Sequence, residues 1–101
     1  MVESIMPSQL ELRLAQGSLL VDVREEAEFR AGSHPLAMNW PAGSWTTQAA
    51  VRTLVIVCCL RGNRSRSAAG RLAAMGYSVA WLAGGLSAWS RFTGRPLPRR
   101  A

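Results

Sequence analysis

The sequence predicts an α/β domain: a central, mainly parallel sheet with helices on both faces. Three observations carry that expectation. Leu54-Val55-Ile56-Val57 is a continuous β-branched apolar run, the mark of a strand buried on both faces. Residues 65–75 are rich in Ala, Leu and Arg and run into Gly76, the pattern of a helix with a glycine stop. Shorter apolar runs at 18–23 and 77–82 alternate with helical stretches, as strands of a parallel sheet do.

The elements follow in order. Ser8-Gln9-Leu10-Glu11 has capping-box spacing after Pro7, and Leu10 and Leu14 share a face, so a short helix is expected over 8–16 with Gly17 ending it. The first buried strand is placed at 18–23. One or two helical turns follow at 25–31, with acids in the first turn where the helix dipole favours them and Phe29 as the core anchor. A short strand is expected at 37–40. The connection over 42–52 is brief, with turn chemistry at Gly43-Ser44 and a helical turn around 46–50. After the central strand and its helix, whose inner face is Ala68, Ala69, Leu72 and Ala73, come a last strand at 77–82 and a turn at Gly84-Gly85. A closing helix runs over 86–92 with Trp89 in the core. The end, 94–101, is basic and proline-punctuated, and reads as a surface tail that lies flat or frays.

At 101 residues the chain is one domain, 1–101, and 49% hydrophobic with 18% charged describes an ordinary globule. No apolar run approaches the roughly 20 residues of a membrane span. Residues 1–6 lack the basic and apolar segments of a secretory signal. Cys58 and Cys59 are adjacent, which excludes a disulfide framework and suits a reducing, cytoplasmic setting. Charge is uneven. All six acids precede residue 29, beside only Arg13 and Arg24, a net of −4; the rest carries ten arginines and no acid, +10. A positive field around 52–71 follows, but no aromatic-studded basic stripe does, so nucleic-acid binding is not expected.

The chemistry gathers at 58–65, Cys58-Cys59-Leu60-Arg61-Gly62-Asn63-Arg64-Ser65. Six residues, 59–64, must turn the chain from strand to helix, gathering backbone N–H groups and a helix N-terminus around a hollow. Cys59 stands at its lip beside Arg61 and Arg64. Oriented amides, dipole and cations all favour thiolate, toward the roughly 3.5–7.5 range of activated cysteines. Cys58, one place earlier, points to the opposite side of the strand and should be a small buried hydrophobe; its other reading, a resolving thiol for Cys59, needs a strained vicinal ring. At the first strand's end, Asp22 and Arg24 read as an ion pair.

Cys59-Leu60-Arg61-Gly62-Asn63-Arg64-Ser65 resembles the active-site loop Cys-x-x-Gly-x-Arg-Ser of small rhodaneses, the thiosulfate sulfurtransferase family. Leu20-Val21-Asp22-Val23-Arg24-Glu25 resembles the family's Asp-x-Arg strand end, and Leu82-Ala83-Gly84-Gly85-Leu86-Ser87-Ala88-Trp89 its Gly-Gly-x-x-x-Trp segment. The chain departs from the family at Ser33 and Leu36, where histidine and glycine are usual, and in its short 42–52 connection. The resemblance implies a rhodanese-like fold in which Cys59 carries sulfur. Leu60, Arg61, Gly62, Asn63, Arg64 and Ser65 would form the substrate loop, and Asp22 or Arg24 would support it, with Asp22 facing Arg64.

A cysteine without a nearby general-base histidine is poorly suited to acyl transfer, and His34, the only histidine, lies on a separate turn. Displacement at sulfur suits it. The implied donor is a small anion such as thiosulfate, and the acceptor is cyanide or a thiol, free or on a protein. No metal or organic cofactor is called for. Cysteine phosphatases and arsenate reductases use Cys-x5-Arg loops, one residue longer than the spacing from Cys59 to Arg64, and need a leaving-group acid. A persulfide carrier without turnover, or a module that only binds a partner, remains the non-enzymatic alternative.

Overall fold

Short runs of β-branched and aliphatic residues form strands here because each is buried on two sides. The computed structural model describes residues 2–45 and 52–101. It contains strands β1 (Glu3–Ile5), β2 (Leu19–Asp22), β3 (Met38–Asn39), β4 (Val55–Cys58) and β5 (Val79–Leu82), and helices α1 (Pro7–Ala15), α2 (Glu26–Ala31), α3 (Asn63–Ala74) and α4 (Gly85–Thr93). The strands lie in the order β1-β5-β4-β2-β3 and every pair is parallel. β4 is central, with Val57 opposite Val21 on one side and Trp81 on the other. All four of its residues are buried, and covering each such side chain contributes roughly 1.5–3 kcal/mol.

Alternation along the strands makes two cores. Leu20, Ile56, Cys58, Ala80 and Leu82 face Leu10 of α1, Phe29 of α2, and Leu86 and Trp89 of α4. Val21, Val55, Val57 and Cys59 belong to the opposite core with Ala68, Ala69 and Leu72 of α3. The expected α/β fold with helices on both faces is therefore present, and Cys58 and Cys59 fall on different sides of the sheet.

Several local expectations change. Residues 3–5 form an edge strand beside β5 that the sequence reading missed, because three residues with one buried side chain show no periodicity. Ser8 does not cap α1. The helix begins at Pro7, and the Gln9 side chain accepts the Met6 N–H at 2.9 Å. Glu11 is drawn instead to His34 Nε2 (3.1 Å) and the Trp89 indole N–H (2.8 Å). The turn at Gly43-Ser44 forms, with the Ser44 N–H on Pro41 O; the helical turn expected around 46–50 lies outside the described residues. α3 starts at Asn63, two residues early, which shortens the catalytic turn to 59–62.

The tail lies on the surface but does not fray. The Ser33 N–H donates to Pro98 O and the Arg100 N–H to Arg30 O. Leu97 packs against the core, and the Arg100 guanidinium sits 4.9 Å over the Phe29 ring while donating to His34 O. Those contacts bury His34, which also accepts the Leu36 N–H at Nδ1 and tilts against Trp89.

Candidate active site

β4 ends at Cys58, and the chain leaves the sheet's carboxyl edge at Cys59, where parallel sheets present their reactive groups. Two backbone bonds to α4 set the turn: Cys59 O accepts the Leu86 N–H and Leu60 O the Ser87 N–H, each at 2.9 Å. So close an approach requires glycine at 85. Its φ is +69°, and a Cβ there would lie 2.5 Å from Leu60 O and 2.6 Å from Cys59 O. Gly62, at φ +102°, then turns the chain into α3.

Around the sulfur, Cys59 Sγ accepts the N–H groups of Gly62 at 3.1 Å and Ser65 at 3.3 Å, and lies 3.4 Å from Ser65 Oγ. As a thiol, its S–H donates to that hydroxyl, whose own proton goes to Gly62 O at 3.1 Å. On ionisation the hydroxyl can turn its proton to the sulfur. Burial pushes the Cys59 thiol up, but the Ser65 hydroxyl and the N–H groups of Ser65, Gly62 and Arg61 outweigh it, and the pKa falls below the ordinary value. Hydrogen bonds carry more of the activation than the charge of Arg64, which also favours the thiolate. Cys58 is the contrast: burial, then the nearby Asp22 charge, holds its thiol well above the ordinary value. Its side chain packs in the core on the opposite face of the sheet.

The sulfur is the floor of a hollow of about 210 Å³, lined also by Leu60, Arg61, Asn63 and Arg64. Arg61 is exposed and takes part in none of the ion pairs among the described residues, so its charge is available at the mouth. A larger apolar hollow of about 320 Å³, under Trp40 and Tyr77 at the β2–β3 edge, contains no nucleophile.

Two expected contacts are not made. Arg64 does not face Asp22; it forks onto Glu28 of α2, Nη1 to Oε1 at 2.8 Å and Nη2 to Oε2 at 3.1 Å. Strand alternation explains this: Asp22 points to the side of Leu20, away from α3. The fork lowers the Glu28 pKa and raises that of Arg64. Nor do Asp22 and Arg24 hydrogen-bond the 59–65 loop. Asp22 Oδ1 accepts the Arg24 N–H and Nε, and Oδ2 accepts Nη2 at 2.8 Å. Arg24 also reaches Gly32 O, and Ser33 Oγ donates to Asp22 at 2.8 Å. Burial would lower the Arg24 pKa, yet the bond and charge of Asp22 raise it. The pair thus fastens the α2–β3 connection, while the Asp22 backbone pairs with Cys58 immediately before the loop. Ser33, where the resemblance leads one to look for histidine, completes that buried cluster.

No histidine is among the hydrogen-bond partners of Cys59; His34 is packed on the α1–α4 side. Among the described residues, no three His, Cys, Asp or Glu side chains are grouped to hold a metal, and no helix is long and apolar enough to cross a membrane.

Residues 6–92 match the rhodanese-like domain. The chain belongs to the rhodanese-like family. Among solved structures, this rhodanese-like chain is similar to a rhodanese-related protein from Thermoplasma volcanium, at 27% identity and TM-score 0.79, covering 95% of this chain and 97% of that one. It is similar to a thiosulfate sulfurtransferase from Pseudomonas aeruginosa at 25% identity and TM-score 0.81, covering 98% of this chain but 20% of that one. It shares the fold of the Bacillus anthracis CoADR-RHD protein at 24% identity and TM-score 0.84, where 96% of this chain spans only 18% of the other. The rhodanese-like unit thus corresponds to a whole small protein in one case and to about a fifth of a larger one in two. Glu28, Gly85 and Ser33 escaped the sequence reading as site residues. The Gly84-Gly85 pair was the one visible signal, since adjacent glycines mark close backbone approach.

Proposed function

We propose that this rhodanese-like domain is a sulfurtransferase that moves sulfane sulfur from thiosulfate or a similar anionic donor to cyanide or a thiol, through a persulfide on Cys59. The observation that carries this reading is the Cys59 sulfur held by the N–H groups of Gly62 and Ser65 at a strand-to-helix turn without a histidine. The Cys59 thiolate attacks the outer sulfur of thiosulfate. A new S–S bond forms, the donor's S–S bond breaks with its electron pair on sulfite, and the persulfide remains as its anion. An acceptor nucleophile then takes the outer sulfur and Cys59 leaves as thiolate. This is ping-pong covalent catalysis, needing neither an external base nor an oxidant. Arg61 meets the anionic end of the donor, and the amides hold the charge on sulfur.

Two features weigh against phosphoryl transfer. The turn spans only 59–62 before α3 begins, and the arginine that a phosphatase would aim at its oxyanion is committed to Glu28. The test is intact mass. Thiosulfate should add one sulfur to the protein, cyanide should remove it as thiocyanate, and Cys59→Ser should show neither. An adduct that survives Cys59→Ser, or aryl phosphatase activity lost with it, would overturn the reading.

A further inference from the structure

The geometry points to a docking groove beside the active-site mouth for an acidic protein that bears the accepting thiol. Met6, Pro7, Ser8, Ala83, Gly84, Ala88 and Phe92 line an apolar groove of about 480 Å³. Met6 and Phe92 are 56% and 62% exposed, although both are large apolar side chains. The groove adjoins the catalytic turn: the Gly84 N lies 3.2 Å from where a Gly62 Cβ would be, and the Leu86 and Ser87 amides in the first turn of α4 hold Cys59 O and Leu60 O. The groove and the hollow above Cys59 therefore lie on either side of one close-packed backbone junction.

Charge says what sits there. Five of the six acids are already engaged, Glu3 with Arg13, Glu11 with His34, Asp22 with Arg24, Glu26 with Arg30 and Glu28 with Arg64. Arg61 at the mouth and Arg91, next to Phe92 on α4, are exposed and outside these pairs. The groove thus offers apolar seats flanked by uncompensated positive charge, the complement of a surface with exposed apolar side chains among acids. Cyanide or a free small thiol has no use for apolar seats. A membrane surface carries no thiol to take the sulfur from the Cys59 persulfide. The inference rests on the sulfurtransferase reading for its chemistry. The acceptor's thiolate attacks the outer sulfur of the Cys59 persulfide, one S–S bond forms as one breaks, and Cys59 leaves as thiolate.

Docking and chemistry can be read separately. The binding probe is a fluorescein-labelled peptide carrying two glutamates, leucine, phenylalanine and a glycine-serine tail, compared by anisotropy with its lysine-for-glutamate counterpart and with phosphatidylglycerol vesicles. At low salt the acidic peptide should bind at least about tenfold tighter than the basic one, and the gap should close near 1 M salt, where the screening length is about 3 Å. Met6→Gln with Phe92→Gln should weaken the acidic peptide about tenfold and leave thiosulfate-to-cyanide turnover at the wild-type rate. With cysteine in place of the terminal serine, the same double variant should slow sulfur transfer to the peptide but not to cyanide. Equal binding of both peptides, binding indifferent to Met6 and Phe92, or vesicle binding that depends on those two residues would overturn the proposal. Peptide binding intact on a protein whose Cys59 takes no sulfur would instead sink the sulfurtransferase reading and leave the docking groove standing.

Discussion

Ser65 is the residue on which the reactivity of Cys59 turns, since its amide and its hydroxyl both reach the sulfur. The Cys59 pKa is lowered in the fold, so the reactive thiolate is present at pH values where an ordinary thiol is protonated, and it is lost as pH falls through the folded value. Alkylation by iodoacetamide, followed by mass against pH, should show this inflection below that of a free cysteine. Ser65→Ala should move it upward and slow alkylation at neutral pH by roughly tenfold, taking about 1.4 kcal/mol for one hydrogen bond to a charged sulfur. An unchanged profile would mean that the backbone amides suffice. Arg61 and Arg64 should separate kinetically. Arg61→Ala, removing the free charge at the mouth, should raise the KM for thiosulfate, with little effect on stability. Arg64→Ala breaks a fork that is 53% exposed on one side and 38% on the other, so the melting point should fall by no more than about 1 kcal/mol allows. It should lower turnover chiefly by loosening the turn. Equal KM and equal stability in both variants would refute that division.

At the scale of elements, the catalytic turn is held by the N-terminal end of α4 as much as by β4 and α3. Gly85→Ala would drive a Cβ to 2.5 Å from Leu60 O and strain a φ of +69°, so either the turn or the helix must shift. The expected result is loss of most sulfur loading with a substantial drop in denaturation midpoint. Gly70 is the counterpart: it lies in α3, its added Cβ would meet nothing within 4 Å, and it has no positive φ. Gly70→Ala should stabilise the domain by about 0.5–1 kcal/mol through helix propensity and leave activity unchanged. Denaturant unfolding of the two variants, with loading measured by mass, checks both.

Over the whole molecule, two sheet faces do different work: one packs α1, α2, α4 and the tail, the other carries α3 and the reactive sulfur. The Asp22–Arg24 pair lies in the first, with Asp22 fully buried and Arg24 5% exposed. Asp22→Ala leaves a buried guanidinium without its carboxylate and should cost about 3–5 kcal/mol, enough to unfold a marginal domain at moderate temperature. Removing residues 95–101 takes away the partners of the Ser33 N–H and of Arg30 O and bares Phe29 and Leu97's site, and should cost about 1–3 kcal/mol. Thermal melts read both losses; an unchanged melting point after truncation would show that the tail only rests on the surface.

The sequence by itself determined the features that depend on near neighbours. The buried β4 run, the glycine that ends α3, the turn that presents Cys59 and the inward side of Cys58 all follow from periodicity, propensity and strand alternation within some twenty residues. Tertiary structure alone decided the contacts between residues distant along the chain. Arg64 chose Glu28, 36 residues away, over Asp22 because the pleat turns Asp22 to the other face. Trp89 and His34 recruited Glu11, 78 residues from the indole, and so Glu11 was not available to the box that its spacing suggested. The first strand exists because β5 offers an edge, and the tail is ordered because α2 offers an aromatic face to Arg100. Local spacing can show that a charge or an edge needs a partner, but which partner is geometrically reachable is decided only when the sheet and its two helical layers close around it.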